Sequence, residues 1–178
     1  MTRSRVVSSK LLGVVLMSAG LAVSGCNATS TTNSPDKERP TMSTTNRIRL
    51  EHVAINVQDP VAMAKWYCQN LGMKVVREGP APANARFLSD AGGNMMLEIY
   101  HNPPDAVPDY ASMNPLSLHI AFMVDDVQTL RQKLVAAGAT VHEDVYTTDS
   151  GDQIVMLRDP WGVPIQFLKR AKPMLSHD

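Results

Sequence analysis

The sequence predicts an α+β fold of two βαβββ units, with cupped mixed sheets and helices on their outer faces. Three observations predict it. The hydrophobic period switches repeatedly between two and about 3.6, marking short strands that alternate with helices. The order strand, capped helix, glycine, short β-branched strand occurs twice, with a period of about 67 residues. The segment that carries both copies runs from about residue 47 to 172, long enough to bury a core without disulfides.

The first unit, about 47–105, opens on His52-Val53-Ala54-Ile55-Asn56-Val57, where Val53, Ile55 and Val57 alternate onto one face as in a strand. Asp59-Pro60 then supplies an N-cap and a first-turn proline for a helix through Leu71, and Gly72 supplies its stop. Strands are expected at Val75–Glu78, Ala85–Asp90 and Met95–His101, separated by loops rich in proline or glycine. The second unit, about 114–172, opens on an alternating strand at Ser117–Val124. Asp125 or Asp126 caps a helix through Ala137, and Gly138 ends it. Strands follow near Thr140–Val145, Gln153–Arg158 and Val163–Lys169, and residues 173–178 form a tail. Neither unit covers its own sheet alone, so the two are expected to pack together.

Residues 1–46 read differently. Arg3, Arg5 and Lys10 precede an uncharged stretch from Leu11 to Ala22, and Val23-Ser24-Gly25-Cys26 follows. A basic start, a short apolar run and small residues at its end mark a secretory signal, and the run is too short for a confident membrane span. Val-Ser-Gly-Cys resembles the lipobox of bacterial lipoproteins. That resemblance implies cleavage after residue 25, lipidation of Cys26 and a place in the cell envelope; Asn27 after the cysteine favours the outer membrane. Residues 26–46, rich in serine and threonine, have little to bury and read as a disordered tether.

Composition excludes several classes. Seventeen basic and 17 acidic side chains give a net charge of zero, so no basic field invites nucleic acid. Removing the leader takes three bases and no acid, leaving a mildly acidic exported chain. Two cysteines cannot make a disulfide framework. Cys68, inside the first helix, reads as a buried core thiol.

The βαβββ repeat, His52 in the first strand, Met96-Leu97-Glu98-Ile99-Tyr100, Leu118-His119-Ile120 and the turn Asp159-Pro160-Trp161-Gly162 together resemble the vicinal oxygen chelate superfamily. That superfamily includes glyoxalase I, extradiol dioxygenases, fosfomycin-resistance enzymes and bleomycin-binding proteins, and the resemblance covers about 120 residues. It implies one divalent ion (zinc, nickel, manganese or iron(II)) held in the cup by His52, Glu98, His119 and Gln166. The last stands where the family usually has a glutamate. Spacing supports this mapping, since His119 lies 67 positions after His52 and Gln166 lies 68 after Glu98. Strand phase supports it too, placing all four opposite the helix-facing residues. The same face carries Ala54, Asn56, Met96, Tyr100, Ala121 and Met123, and with Met156 these suggest a partly apolar pocket.

The resemblance implies a glyoxalase-like lyase or isomerase acting on a small substrate with vicinal oxygens or a hemithioacetal. Because Gln166 is neutral, any proton transfer then falls to Glu98 or to a metal-bound hydroxide. A non-catalytic module that sequesters a small molecule is the second reading. An iron-dependent dioxygenase using His52, His119 and Glu98 is the third, disfavoured because the family's carboxylate there comes from the Gln166 position. The resemblance further implies a homodimer in which His52 and Glu98 meet the partner's His119 and the partner's Gln166, although the sequence equally allows a cup within one chain. Arg86 and Arg158 are candidate anion contacts or structural arginines. His101, His142 and His177 are expected at the surface.

Overall fold

The computed structural model describes residues 48–175. The leader, Cys26, the whole tether and His177 lie outside the described residues. Ten elements follow in the expected order: β1 (His52–Asn56), α1 (Pro60–Leu71), β2 (Lys74–Glu78), β3 (Arg86–Ser89), β4 (Met96–Tyr100), β5 (Ile120–Met123), α2 (Val127–Ala136), β6 (Thr140–Thr147), β7 (Gln153–Arg158) and β8 (Pro164–Lys169). They form two four-stranded mixed sheets of matching topology, β1-β4-β3-β2 and β5-β8-β7-β6. In each sheet the first strand pairs parallel with the last, and the other pairs are antiparallel.

The helix boundaries follow from capping chemistry. Asp59 Oδ1 accepts from Ala62 N at 2.9 Å, and Asp126 Oδ1 accepts from Thr129 N at 2.9 Å, so each aspartate satisfies an amide that has no partner within the helix. Gly72 closes α1 in the left-handed conformation, φ 70°. The helix-facing rows of the sheets form the core: Ile55, Leu88, Leu97 and Ile99 in the first unit, Val155, Leu157, Ile165 and Phe167 in the second, with Met63 and Tyr67 of α1 and Leu134 of α2.

Three expectations need correction. The second unit's first strand starts at Ile120 rather than Ser117, because Asn114 takes residues 115–117 into a turn: its Oδ1 accepts from Leu116 N and its carbonyl from Ser117 N. His119 therefore stands one residue ahead of β5. Cys68 is half-buried against the core, not fully buried. Val53 keeps the expected phase but is 39% exposed, since β1 is an edge strand and α1 does not reach over it.

The two units meet through their helices and one turn. Trp66 Nε1 donates to Ala137 O at the end of α2 (2.8 Å), and Lys133 Nζ donates to Asn70 O at the end of α1 (2.7 Å). Tyr67 OH donates to Asp159 Oδ2 at 2.9 Å, and both residues are buried. Asp159 is the first residue of the predicted turn; its Oδ1 also accepts from Trp161 N and Val163 N. Gly162 in that turn has φ 84°, and a Cβ there would lie 2.9 Å from the Ala111 backbone, so the linker between the units closes onto the turn only over glycine. Arg158 fastens the same linker by donating to Tyr110 O, Met113 O and Gly162 O.

Burial pushes the Asp159 carboxyl up to about 6, against the opposing pull of the Tyr67 hydroxyl and the turn amides. A carboxyl raised above its unfolded value binds its proton more tightly in the native state. Its stabilising contribution is therefore complete at low pH and is lost as pH rises through about 6. We expect the unfolding free energy to fall by about 2–3 kcal/mol between pH 4 and pH 7, beyond the trend set by other groups. Asp159→Asn keeps an acceptor for the turn amides and lets Tyr67 accept from the side-chain amide. It should remove this step, as read by urea denaturation across that pH range.

Candidate metal centre and cup

Because the units join through α1, α2 and the Asp159 turn, the opposite faces of both sheets point outward. Cross-strand register defines what lies there. In the first sheet one row reads Ala54, Glu98, Phe87, Arg77, and the adjacent row reads His52, Met96, Ser89, Lys74. In the second sheet the row equivalent to the first reads Ala121, Gln166, Met156, Glu143. His52 lies two residues before Ala54, and His119 lies two before Ala121. The two units thus present the same construction: a histidine on or beside the edge strand, and Glu98 or Gln166 on the neighbouring strand.

The first half-site is assembled. His52 Nε2 lies 3.4 Å from Glu98 Oε2, and the His52 ring meets Phe87 edge-on at 5.6 Å between centroids. His52 Nδ1 is bonded to the Glu51 carboxylate, which holds the imidazole above its ordinary range, with a smaller contribution from Glu98. A carboxylate only accepts, so Nδ1 carries a proton and Nε2 faces a second carboxylate oxygen. At this ion-pair distance a proton on Nε2, or a metal ion between the two atoms, would satisfy both. Their separation is close to the roughly 3.0–3.4 Å edge expected between ligands about 2.1 Å from one metal.

The second half-site has the same hydrogen-bond logic. His119 Nδ1 donates to Pro115 O at 2.8 Å; since a carbonyl cannot donate, Nε2 is the nitrogen left with its lone pair. A ligating histidine is characteristically fixed in this way, through its other ring nitrogen. Gln166 is half-buried opposite Ala121. The donor types of His52, Glu98, His119 and Gln166 fit a divalent ion, which these four would hold if brought together. Among the described residues, however, no three His, Cys, Asp or Glu side chains converge within one chain.

Other expected positions divide. Met96 and Tyr100 are half-buried on the cup face, and Met123 is 68% exposed there. Asn56 is not a free wall residue, because its Oδ1 accepts from Asn102 N at 3.0 Å and so fixes the start of the linker. Met156 is buried, covered where Asn114, Pro115 and Leu116 meet His142 and Glu143 around a cavity of about 300 Å³. Arg86 donates to Gly79 O, Asn84 O and Ala85 O and, like Arg158, serves the backbone rather than a ligand. His101, expected at the surface, is half-buried with Nδ1 on Val57 O at 2.9 Å.

Sequence reasoning missed Lys74, Arg77, Phe87 and Glu143 on the cup face. Alternation from Leu88 would have found Phe87. Arg77 and Glu143 were hidden by register shifts beside them in β2 and β6, which break period-two reading. A larger cavity, about 840 Å³, lies elsewhere, between the end of α1, the 90–94 turn, β5 and α2. It contains none of the four donors, and its Lys133 ammonium is bonded to Asn70 O.

Comparison with known proteins agrees with the fold. The sequence profile of the Glyoxalase/Bleomycin resistance protein/Dioxygenase superfamily matches residues 49–167. Among solved structures, SMU.1112c is 30% identical, with 69% of this chain and 99% of that chain covered and a TM-score of 0.55. TnmS3, an antibiotic binding protein from Streptomyces sp. CB03234, is 19% identical over 70% of this chain and 98% of that one, with a TM-score of 0.56. Glyoxalase I from Zea mays is 24% identical over 70% of this chain but only 45% of its own length, with a TM-score of 0.58. No curated protein matches. With the profile spanning most of the chain and both βαβββ units in place, the protein belongs to the glyoxalase/bleomycin resistance protein/dioxygenase superfamily.

Proposed function

We propose that this protein is a glyoxalase-type metal-dependent lyase or isomerase that acts on a small oxygenated substrate in the cell envelope. The observation that carries the reading is the facing pair His52 Nε2 and Glu98 Oε2, 3.4 Å apart, with the other His52 nitrogen already committed. A bound divalent ion supplies Lewis acidity to two adjacent substrate oxygens. Glu98 is the one carboxylate among the four donors, so it takes a proton from the substrate carbon and returns it to the neighbouring one. Phe87, beside His52, gives the substrate an apolar surface and limits water access on that side.

A second reading, a small-molecule binding module, draws on the other half-site, where Gln166 supplies no carboxylate. Metal analysis separates the two. Residues 43–178 refolded with zinc, nickel, manganese or iron(II) should retain one ion per cup. Glu98→Ala should lose at least about tenfold in affinity, and Gln166→Glu should gain about as much by restoring an anionic oxygen. Absence of retained metal in all of these proteins would sink the enzyme reading. Turnover of methylglyoxal with several thiols would select the lyase, and oxygen uptake by the iron form the dioxygenase.

We also propose that each cup forms across a homodimer. β1 and β5 are edge strands, and Val53, Leu118 and Met123 beside them are exposed, so each edge presents unpaired backbone and apolar surface to a partner's edge. His52→Ala and His119→Ala chains, each defective alone, should then complement when mixed and exchanged. Half of the dimers are mixed and each rebuilds one cup, so about a quarter of wild-type sites should return. Cups within one chain would return none.

The lipobox-like Val23-Ser24-Gly25-Cys26 supports anchoring through lipid on Cys26, with the serine- and threonine-rich tether holding the cup off the bilayer. Expressed in a bacterium, the full chain should partition into detergent phase, and Cys26→Ala should move it to the aqueous phase. Aqueous partitioning of both would remove the anchor.

A further inference from the structure

The wall of the first unit's cup carries positive charge at a defined distance from the donor pair. Arg77 pairs with Phe87, and Phe87 with Glu98, so the three share one row across β2, β3 and β4. The Arg77 guanidinium lies 5.8 Å from the Phe87 ring centroid, and that ring lies 5.6 Å from the His52 ring. The register shift between Val75 and Arg77 adds a residue to β2 and turns the Arg77 side chain onto the cup face. Lys74 lies on the same strand and face, in the row of His52.

These cations differ from the chain's structural ones. Arg131 and Arg170 pair with Asp144 and Asp152, and Arg86 and Arg158 bind backbone carbonyls. Among the described residues, neither Arg77 nor Lys74 has an ion pair or a side-chain hydrogen bond. A guanidinium resting on an aromatic face keeps its donor edge free, and its planar fork matches a carboxylate or phosphate.

We propose that Arg77, supported by Lys74, is the specificity-determining contact of the cup and that the ligand is an anion: a small molecule with two adjacent oxygens at one end, a flat or apolar middle that lies on Phe87, and a carboxylate or phosphate at the other. This rests on the donor-pair reading of His52 and Glu98 for the oxygenated end. Arg77 is exposed, so its replacement leaves the core intact.

The test uses 3,4-dihydroxybenzoate, its methyl ester and 3,4-dihydroxyphenyl phosphate as probes. Binding to the full chain in detergent is followed by calorimetry with zinc present and with zinc removed. Wild type should bind both anionic probes at least about tenfold more tightly than the ester, a preference that weakens with salt. Arg77→Gln should lose that preference while holding the ester as wild type does. Arg77→Lys, which keeps the charge but not the planar fork, should retain part of it. His52→Ala should weaken all three probes alike and leave the ratio unchanged, so loss of the donor-pair reading shows there and loss of the anion reading shows at Arg77. Failure of wild type to bind any probe, no preference for the anions, or an Arg77→Gln ratio equal to wild type would each overturn the proposal.

Discussion

The hydrogen bond from Tyr67 to Asp159 decides which surfaces of this molecule are free to act. It joins a helix of the first unit to a turn of the second inside the core, with Trp66 on Ala137 and Lys133 on Asn70 holding the same seam. A carboxylate placed there without partners would cost several kcal/mol. Here one oxygen takes two turn amides and the other takes the tyrosine, so no buried polar side-chain atom is left unpaired among the described residues. With the helices spent on this seam, the opposite faces of both sheets are left largely uncovered by them, apart from the Met156 end, where Asn114, Pro115 and Leu116 close over the second sheet. The exposed cup is thus a consequence of how the units are joined.

Exposure explains why the half-sites look incomplete. His52 and Glu98 lie on neighbouring parallel strands, and that pairing alone brings them together. His119 belongs to the other sheet, where Pro115 fixes its ring; within the chain it lines a cavity of about 240 Å³ with Val53, Met96 and Leu97, but among the described residues it does not join His52 and Glu98 in one cluster. The proposed shared cup would resolve this without moving either histidine, because each is already held by its Nδ1.

Much of this was legible in the sequence. Asp59, Gly72 and Asp126 marked the helices by capping chemistry, and period-two alternation placed His52, Glu98 and Gln166 on one face; all of this depends on residues close in the chain. What stayed hidden depends on distant partners. The Asn114 turn shortened β5, the register shift at Val76 turned Arg77 inward, and Asn102 took the amide oxygen of Asn56. A strand pattern cannot report a bulge whose register is set by the neighbouring strand, nor a linker that returns across the sheet. Asp159 was read as a turn residue, while its second oxygen waited for Tyr67, 92 positions away.

The replacement of a carboxylate by Gln166 then gains a physical meaning. Two histidines and two carboxylates neutralise a divalent ion, whereas His52, His119, Glu98 and Gln166 leave a cup holding such an ion with one net positive charge. Lys74 and Arg77 on the adjoining wall, both exposed, would add to that field. A neutral ligand would gain little from this arrangement. An anion would neutralise both the ion's residual charge and the wall, and so would bind where a fully balanced quartet would have left it indifferent. Glu143, on the outer strand of the second unit, places an acid rather than a base in the equivalent row there. On the proposed reading, the cup would be polarised from one wall to the other, and that would orient an asymmetric ligand before any proton moved.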